Sequence, residues 1–370
     1  MLRRLVLQSF RNYEQLEFFP SPHLSLVIGP NGAGKSSLFE AIYLLSTGRS
    51  FRSGRARQLL REGASQAHVF AEVALEGHRH RLGMSRGPSG VIRLRRDGEN
   101  ARAMSELARL LPVRILHPGT VGLVEGPAKG RRHYLDWGLF HVEQSFGSLW
   151  RELRQALDQR NRLLRKGDGW GREMEVWSQQ VARASARIDR LRKEYLQRLQ
   201  PRVRELLSRF PEMPETGLVL HSGWGSASAQ TEDPEESLLR SLRDDREKDL
   251  RQGFTGKGAH RADLRLAGEQ GQARDLFSRG QCKILGYLMF IAQIQLLVES
   301  QGADCLVLVD DLASELDEGH RDRMTRVLLE LGQQTIFSAL DAEQLPILKD
   351  RDAAMFHVEH GVLRHMPQGH

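Results

Sequence analysis

Residues 28–37 read Ile28-Gly29-Pro30-Asn31-Gly32-Ala33-Gly34-Lys35-Ser36-Ser37. Gly29, Gly34, Lys35 and Ser36 hold the fixed places of the G-x-x-x-x-G-K-[ST] phosphate-binding pattern. Chemistry explains the residue types. Glycines let successive backbone N–H groups turn onto phosphate oxygens, so contacts are expected along Gly29, Pro30, Asn31, Gly32, Ala33 and Gly34. Lys35 reaches the β- and γ-phosphates, and the Ser36 hydroxyl joins a Mg²⁺ shell. Ser37 continues into a helix whose N-terminus favours an anion. The flanks agree: Leu24-Ser25-Leu26-Val27-Ile28 is an apolar run suited to a buried parallel strand. Beyond the loop, Leu38, Ala41, Ile42 and Leu45 recur at helical spacing. Strand, loop and helix together predict a site for ATP with Mg²⁺.

The other half of such a site lies far along the chain. Cys305-Leu306-Val307-Leu308-Val309 ends in Asp310-Asp311, a second buried strand with acids at the carboxyl end, where open α/β sheets bind ligands. Asp310 is expected to hold the metal, and Asp311 to face the γ-phosphate and the attacking water as the catalytic partner of Lys35. Ahead of it, Phe277-Ser278-Arg279-Gly280-Gln281 resembles the L-S-G-G-Q signature of ATP-binding-cassette ATPases. Behind it, Ser314-Glu315-Leu316-Asp317 resembles their D-loop. In that class one protomer's signature covers the ATP of the other. Ser278, Gly280 and Gln281 are therefore expected to touch nucleotide across an ATP-dependent homodimer.

The 370 residues allow two or three domains, and the 40% apolar content supports a sizeable core. A net charge of +7 favours a polyanionic partner, although only 8 of the 54 cationic residues are lysine, a bias that a GC-rich genome produces without function. Two cysteines, Cys282 and Cys305, provide neither a disulfide framework nor a thiolate zinc site, which points to a reducing, cytoplasmic setting. No signal peptide is visible, and the most apolar stretch, 284–298, is shorter than a bilayer span and reads as a buried helix. No membrane partner is expected.

Along the chain, Leu2–Phe10, Ala67–Leu75, 79–84 and 91–96 alternate as strands do. From 146 to 166 apolar residues fall at Phe146, Leu149, Trp150, Leu153, Leu157 and Leu164, and from 174 to 195 they step by three and four throughout, as in a coiled-coil seam. A plausible turn, 167–171, lies between them. The pattern predicts an antiparallel hairpin with arms of about 30–40 Å at the ~1.5 Å rise of a helix, against the plainer alternative of a helix pair packed on a core. Residues 222–250, with acids at Glu232, Asp233, Glu235 and Glu236, read as a loop followed by one helix. His357-Val358-Glu359-His360 alternates like a strand and lacks metal-motif spacing.

The chain resembles the RecF family of bacterial recombination and gap-repair ATPases, relatives of the SMC-like ATPases. Phe10-Arg11-Asn12-Tyr13 looks like the family's F-R-N-Y, and Gly48-Arg49-Ser50-Phe51-Arg52 like G-R-S-H-R. Leu123-Val124-Glu125-Gly126 with Arg131-Arg132 and Leu135-Asp136, then Gln159-Arg160-Asn161, and Asp310 through Asp317 extend the match over nearly the whole chain. Among its departures from the family pattern, Phe51 stands for His, Gly119 for Glu, Ala259 for Pro and Ala262 for Asp. The resemblance implies an α/β fold, an ABC/SMC-like P-loop ATPase head with an inserted antiparallel helical arm. Its expected parts are an N-terminal lobe (1–130), the arm (131–250) and a C-terminal lobe (251–370). It also implies nucleotide contacts from Arg11 and Asn12. Implied partners are gapped DNA or single-strand/duplex junctions and mediators of the RecO/RecR type. A weak, DNA-stimulated ATPase is the implied activity. Between Gly48 and Arg61 there are five arginines and no acid, and Arg49, Arg52, Arg55 and Arg57 are expected on DNA phosphates. Alternatives are an SMC-like DNA-binding module without productive turnover and a transporter ATPase, which has no use for the helical insertion.

Overall fold

Strand Leu24–Ile28 (β3) runs into the phosphate loop and then helix Lys35–Thr47 (α1), which ends on Gly48 at φ 71°. The computed structural model describes all residues except 53, 76, 168–170, 226–232, 269–270, 350 and 367–370. The centre of the expected 167–171 turn and Glu232 of the acidic patch thus lie outside the described residues.

Two compact units emerge, Met1–Thr120 with Leu297–His370, and Val121–Leu296. The second starts before the expected 131–250 insertion and also takes in 251–296, because sheet and helix segments there pack with the arm helices.

The first unit holds two six-stranded sheets. One is antiparallel, built from Leu2–Phe10 (β1), Tyr13–Phe18 (β2), Ala67–Leu75 (β4), His78–Arg86 (β5), Ile92–Arg96 (β6) and Glu99–Asn100 (β7), in the order β2-β1-β4-β5-β6-β7. Its apolar alternation buries Leu5, Leu7, Val69, Ala71 and Val73. The other sheet adds Val113–Leu116 (β8), Leu306–Asp310 (β12), Thr335–Ala339 (β13), Ala354–Glu359 (β14) and Val362–Met366 (β15) to β3. Its order is β15-β14-β3-β13-β12-β8, parallel except for edge strand β15. The continuous apolar runs of β12 and β13 are buried throughout, as central parallel strands require. Helix α1 packs against strands of both sheets, with Met104–Leu110 (α2) beside it. Short helix Leu312–Glu315 (α10) follows β12, and Asp317 caps Glu318–Glu330 (α11) by accepting from the His320 N–H. His357–Glu359 is strand, as expected, and no cluster of three metal-ligating side chains exists among the described residues.

The second unit is built on Ala128–Val142 (α3), Phe146–Lys166 (α4) and Arg172–Ser208 (α5). Helix α5 buries Met174, Val181, Ala184, Ile188 and Tyr195, the stripe that the spacing predicts. The helix pair is not a bare hairpin. Where one helix was expected, Pro234–Asp244 (α6) packs on α5 and Arg246–Gln252 (α7) on α4. Nor is the interior all apolar, since Arg160 and Arg192 are fully buried. A small antiparallel sheet joins Gly217–His221 (β9), Asp263–Gly268 (β10) and Gly271–Gln272 (β11). Short helix Ala273–Leu276 (α8) leads to Arg279–Gln301 (α9). Only α9, among the described residues, is long and apolar enough to cross a membrane, and 72% of its apolar window is buried in the fold.

Candidate nucleotide-binding site

The phosphate loop is fastened from behind. Asn12 Nδ2 donates to the Ala33 carbonyl at 2.7 Å and the Tyr13 hydroxyl to the Gly34 carbonyl at 3.0 Å. In a trans peptide the carbonyl and the next N–H point opposite ways. Fixing these two carbonyls therefore turns the Gly34 and Lys35 N–H groups away from Asn12 and Tyr13. Glycine is required here on two grounds. Gly34 sits at φ 130°, and a Cβ would come within 2.7 Å of both Asn12 and Tyr13. At Gly29, φ 152°, a Cβ would stand 2.1 Å from the Val358 carbonyl oxygen.

In front of the loop lies a cleft of about 420 Å³. Asn31, Gly32, Gly34, Lys35, Ser36 and Ser37 line one side, Arg11 and Asn12 another, and Asp310 and Asp311 a third. Arg52, Gln58 and Leu60 complete it. Three expected loop contacts are absent from the wall: Gly29 is buried with its N–H donating to the Leu340 carbonyl at 3.2 Å, Ala33 is buried, and Pro30 offers its carbonyl to Lys35. Lys35 Nζ donates to the Gly29 carbonyl at 2.5 Å and to that of Pro30 at 3.1 Å. Burial lowers the Lys35 pKa, against the opposing pull of Asp311 and Asp310.

Register puts Asp310 of β12 opposite Ser338 of β13. The Ser338 hydroxyl donates to Asp310 Oδ1 at 2.7 Å and accepts the Asp311 N–H at 3.1 Å. One hydroxyl thus pins both acids. Asp311 stands at φ 56°, in the left-handed region that Asp tolerates better than most residues. Burial raises the Asp310 carboxyl above its ordinary pKa, and hydrogen bonds from Ser338 and Ser36 oppose that rise. A buried carboxylate and a serine hydroxyl form an all-oxygen donor set, which suits Mg²⁺ bound by one carboxylate plus phosphate oxygens.

Ser278 and Gly280 are exposed and belong to the second unit. Ser278 N–H donates to Gln281 Oε1 at 2.9 Å, and Gln281 N–H to Ser278 Oγ at 3.2 Å, a reciprocal cap on α9. Gln281 also donates to the Glu212 carbonyl at 3.2 Å.

The residues that depart from the family pattern form two groups. Phe51 packs on His117 with ring centroids 4.7 Å apart, and the Gly119 N–H donates to His117 Nδ1 at 3.1 Å. A Cβ at Gly119 would meet the His117 ring at 2.5 Å. Burial pushes the His117 pKa down to about 4. Ala259 and Ala262, by contrast, serve through backbone, their carbonyls accepting from Arg192 and Arg132 at 2.7 Å each.

Sequence reasoning missed Glu40 and Ser338. Glu40 is wholly buried in α1 yet is held by Arg11. Its signal was a lone acid on the apolar face of an otherwise ordinary helix.

A sequence profile of the RecF/RecN/SMC N-terminal domain matches residues 1–364. A Pseudomonas putida F1 protein named DNA replication and repair protein RecF is 39% identical over 363 residues, 97% of each chain. A Stutzerimonas stutzeri A1501 protein of the same name is 38% identical over 379 residues, covering 100% of this chain and 99% of its own. Among solved structures, the recombination mediator protein RecF-ATP in the RecFOR pathway matches at TM-score 0.88 and 23% identity, over 99% of this chain and 97% of that one. A Pyrococcus furiosus Smc head domain with an extended coiled coil matches at TM-score 0.59 and 15% identity, over 99% and 95%. The fold is that of an ABC/SMC-like ATPase head.

Proposed function

Because the chain belongs to the RecF family of DNA replication and repair proteins, we propose that it is an ATP-switched DNA-binding protein of gap repair and replication restart. The observation that carries this reading is the single cleft where the phosphate loop, two strand-end acids and the first turn of an arginine-rich loop converge.

Gly32, Gly34 and Lys35 hold the β- and γ-phosphates, with Arg11 and Asn12 at the rim. Ser36 and Asp310 would hold Mg²⁺, which would supply charge neutralisation at the phosphates. Asp311 orients the attacking water and takes its proton. Ser278, Gly280 and Gln281 of a second copy close over the nucleotide, so ATP joins two protomers. Arg49, Arg55 and Arg57, exposed on the loop after α1, contact DNA phosphates at gapped or single-strand/duplex junctions. Hydrolysis releases the clamp, after mediators of the RecO/RecR type have helped load recombinase. The site belongs in the cytoplasm, where both cysteines remain free.

Turnover is slow and DNA-stimulated. Asp311 is one methylene shorter than the glutamate usual in fast cassette ATPases, and β13 carries no histidine. A base misplaced by that much loses on the order of 100-fold in rate. The same features favour the second reading, a switch without productive turnover, which hydrolysis assays with and without DNA separate.

The test is sizing with and without ATP, then with gapped DNA added. The wild-type protein should dimerise only with ATP, and Ser278→Arg should bind ATP yet stay monomeric and inactive. Normal ATP-dependent dimers of Ser278→Arg would defeat the sandwich.

A further inference from the structure

Glu40 has no part in the chemistry above, yet it is 0% exposed in the helix that opens at the phosphates. Burying a carboxylate costs several kcal/mol unless charge and hydrogen bonds compensate. Here Arg11 grips it with two parallel bonds, Nε to Oε2 at 2.8 Å and Nη2 to Oε1 at 2.7 Å. The Ser50 hydroxyl also donates to Oε1. Arg52 approaches without closing, Nη1 standing 3.9 Å from Oε2 and 3.4 Å from Ser37 Oγ. Three segments therefore meet at this carboxylate: α1, the β1–β2 turn and the start of the arginine loop.

The two arginines are not equivalent. Arg11 stands at φ 53°, its N–H donating to the Leu59 carbonyl at 2.9 Å, and its side chain is 18% exposed. Backbone and bidentate grip both fix it. Arg52 is 45% exposed, makes only long side-chain contacts, 3.9 Å to Glu40 and 3.4 Å to Ser37, and lines the phosphate cleft.

We propose that Glu40 is a positioning residue that holds Arg11 permanently and competes with the terminal phosphate of a nucleoside triphosphate for Arg52. Without a γ-phosphate, Arg52 rests toward Glu40. With one, Arg52 turns to the stronger anion and draws the arginine loop with it. A diphosphate lacks the oxygens to win that competition, so the loop reports which nucleotide is bound. This rests on the nucleotide reading above.

The test is a double-mutant cycle read as binding, on the full chain with Mg²⁺. Affinities for ADP and for a non-hydrolysable ATP analogue are measured in wild type, Glu40→Gln, Arg52→Gln and the double variant. Glu40→Gln should raise the triphosphate-over-diphosphate preference about fivefold, and Arg52→Gln should lower it. In the Arg52→Gln background, Glu40→Gln should leave that ratio unchanged, because a loosened Arg11 affects both nucleotides alike. Hydrogen exchange across 48–61 should be slowed by the ATP analogue in wild type and indifferent to it in Arg52→Gln, an exposed change that leaves the fold intact. An unmoved ratio in Glu40→Gln, an equal shift in both backgrounds, or nucleotide-dependent exchange persisting in Arg52→Gln would overturn the proposal alone. Failure of the wild-type protein to bind either nucleotide would overturn the nucleotide reading with it.

Discussion

Two buried carboxylates, each gripped by an arginine, sit in the two units and do different work. In the first unit Glu40 is sealed, but Arg11 keeps 18% of its side chain exposed on the cleft. In the second, Arg160 and Asp249 are both 0% exposed, joined at 2.8 Å. Arg160 also donates to Thr255 Oγ1 at 2.8 Å and Ser178 Oγ at 3.0 Å, while Asp249 accepts the Gly256 N–H at 2.9 Å. That second cluster ties α4, α5, α7 and the 255–256 segment into one body and offers nothing to a ligand. The chemistry of the pair is the same. What separates a functional pair from an architectural one is whether a member keeps one face on solvent.

Arg160 is where the molecule is most vulnerable. Arg160→Met leaves Asp249 charged and buried, and should cost about 3–5 kcal/mol in denaturant unfolding. Adding Asp249→Leu should restore most of that loss, because an apolar pair replaces a stranded charge. Nucleotide affinity of the folded fraction should stay within about twofold of wild type, the sites being independent. A single variant as stable as wild type would make the cluster dispensable.

Acid should reach both units at once. Burial lowers His117 in the first and His260 in the second to about 4. The unfolded chain protonates first, near pH 6.5, so this stability is complete above that value and lost as pH falls toward 4. Between pH 7.5 and pH 5 each histidine should account for about 2 kcal/mol of lost stability. His117→Gln should abolish its own share, leaving a shallower acid slope. Identical slopes in variant and wild type would mean that His117 titrates normally.

Ser338 is buried like Arg160 but serves the cleft like Glu40, and its loss should have the smallest effect. Ser338→Ala should slow single-turnover hydrolysis about tenfold, as expected from losing one or two hydrogen bonds of about 1 kcal/mol. ATP affinity should move less, and Ser338→Thr should recover most of the rate. A rate unchanged in the alanine variant would relieve Ser338 of any part in setting the acids.

The contiguous parts of this molecule were readable. Strand, loop and helix at 24–47 and the bounds of α4 follow from apolar spacing and turn residues, which are local. The clamp on Glu40 and the Arg160 cluster were not, because their partners lie 29 and 89 residues away. Periodicity counts apolar residues and assigns arginines to the surface by default. Arg160 and Arg192 defeat that rule, and nothing in their own helices shows that a neighbouring segment will bring them a carboxylate or a carbonyl. Ser338 was hidden differently, since its role depends on strand register between β12 and β13.

Positions 51 and 119 meet on one side chain, that of His117. The ring of His117 fills the space that a side chain at 119 needs, and Phe51 closes over the same ring. Grafting a relative's loop across 48–61 alone would replace the apolar Phe51 ring on His117 with a histidine while leaving Gly119 in place. Grafting glutamate at 119 alone would drive a side chain into the imidazole. Chimeras and directed-evolution libraries that shuffle these segments should therefore recover the two positions together, with residue 117 deciding which pairs are viable.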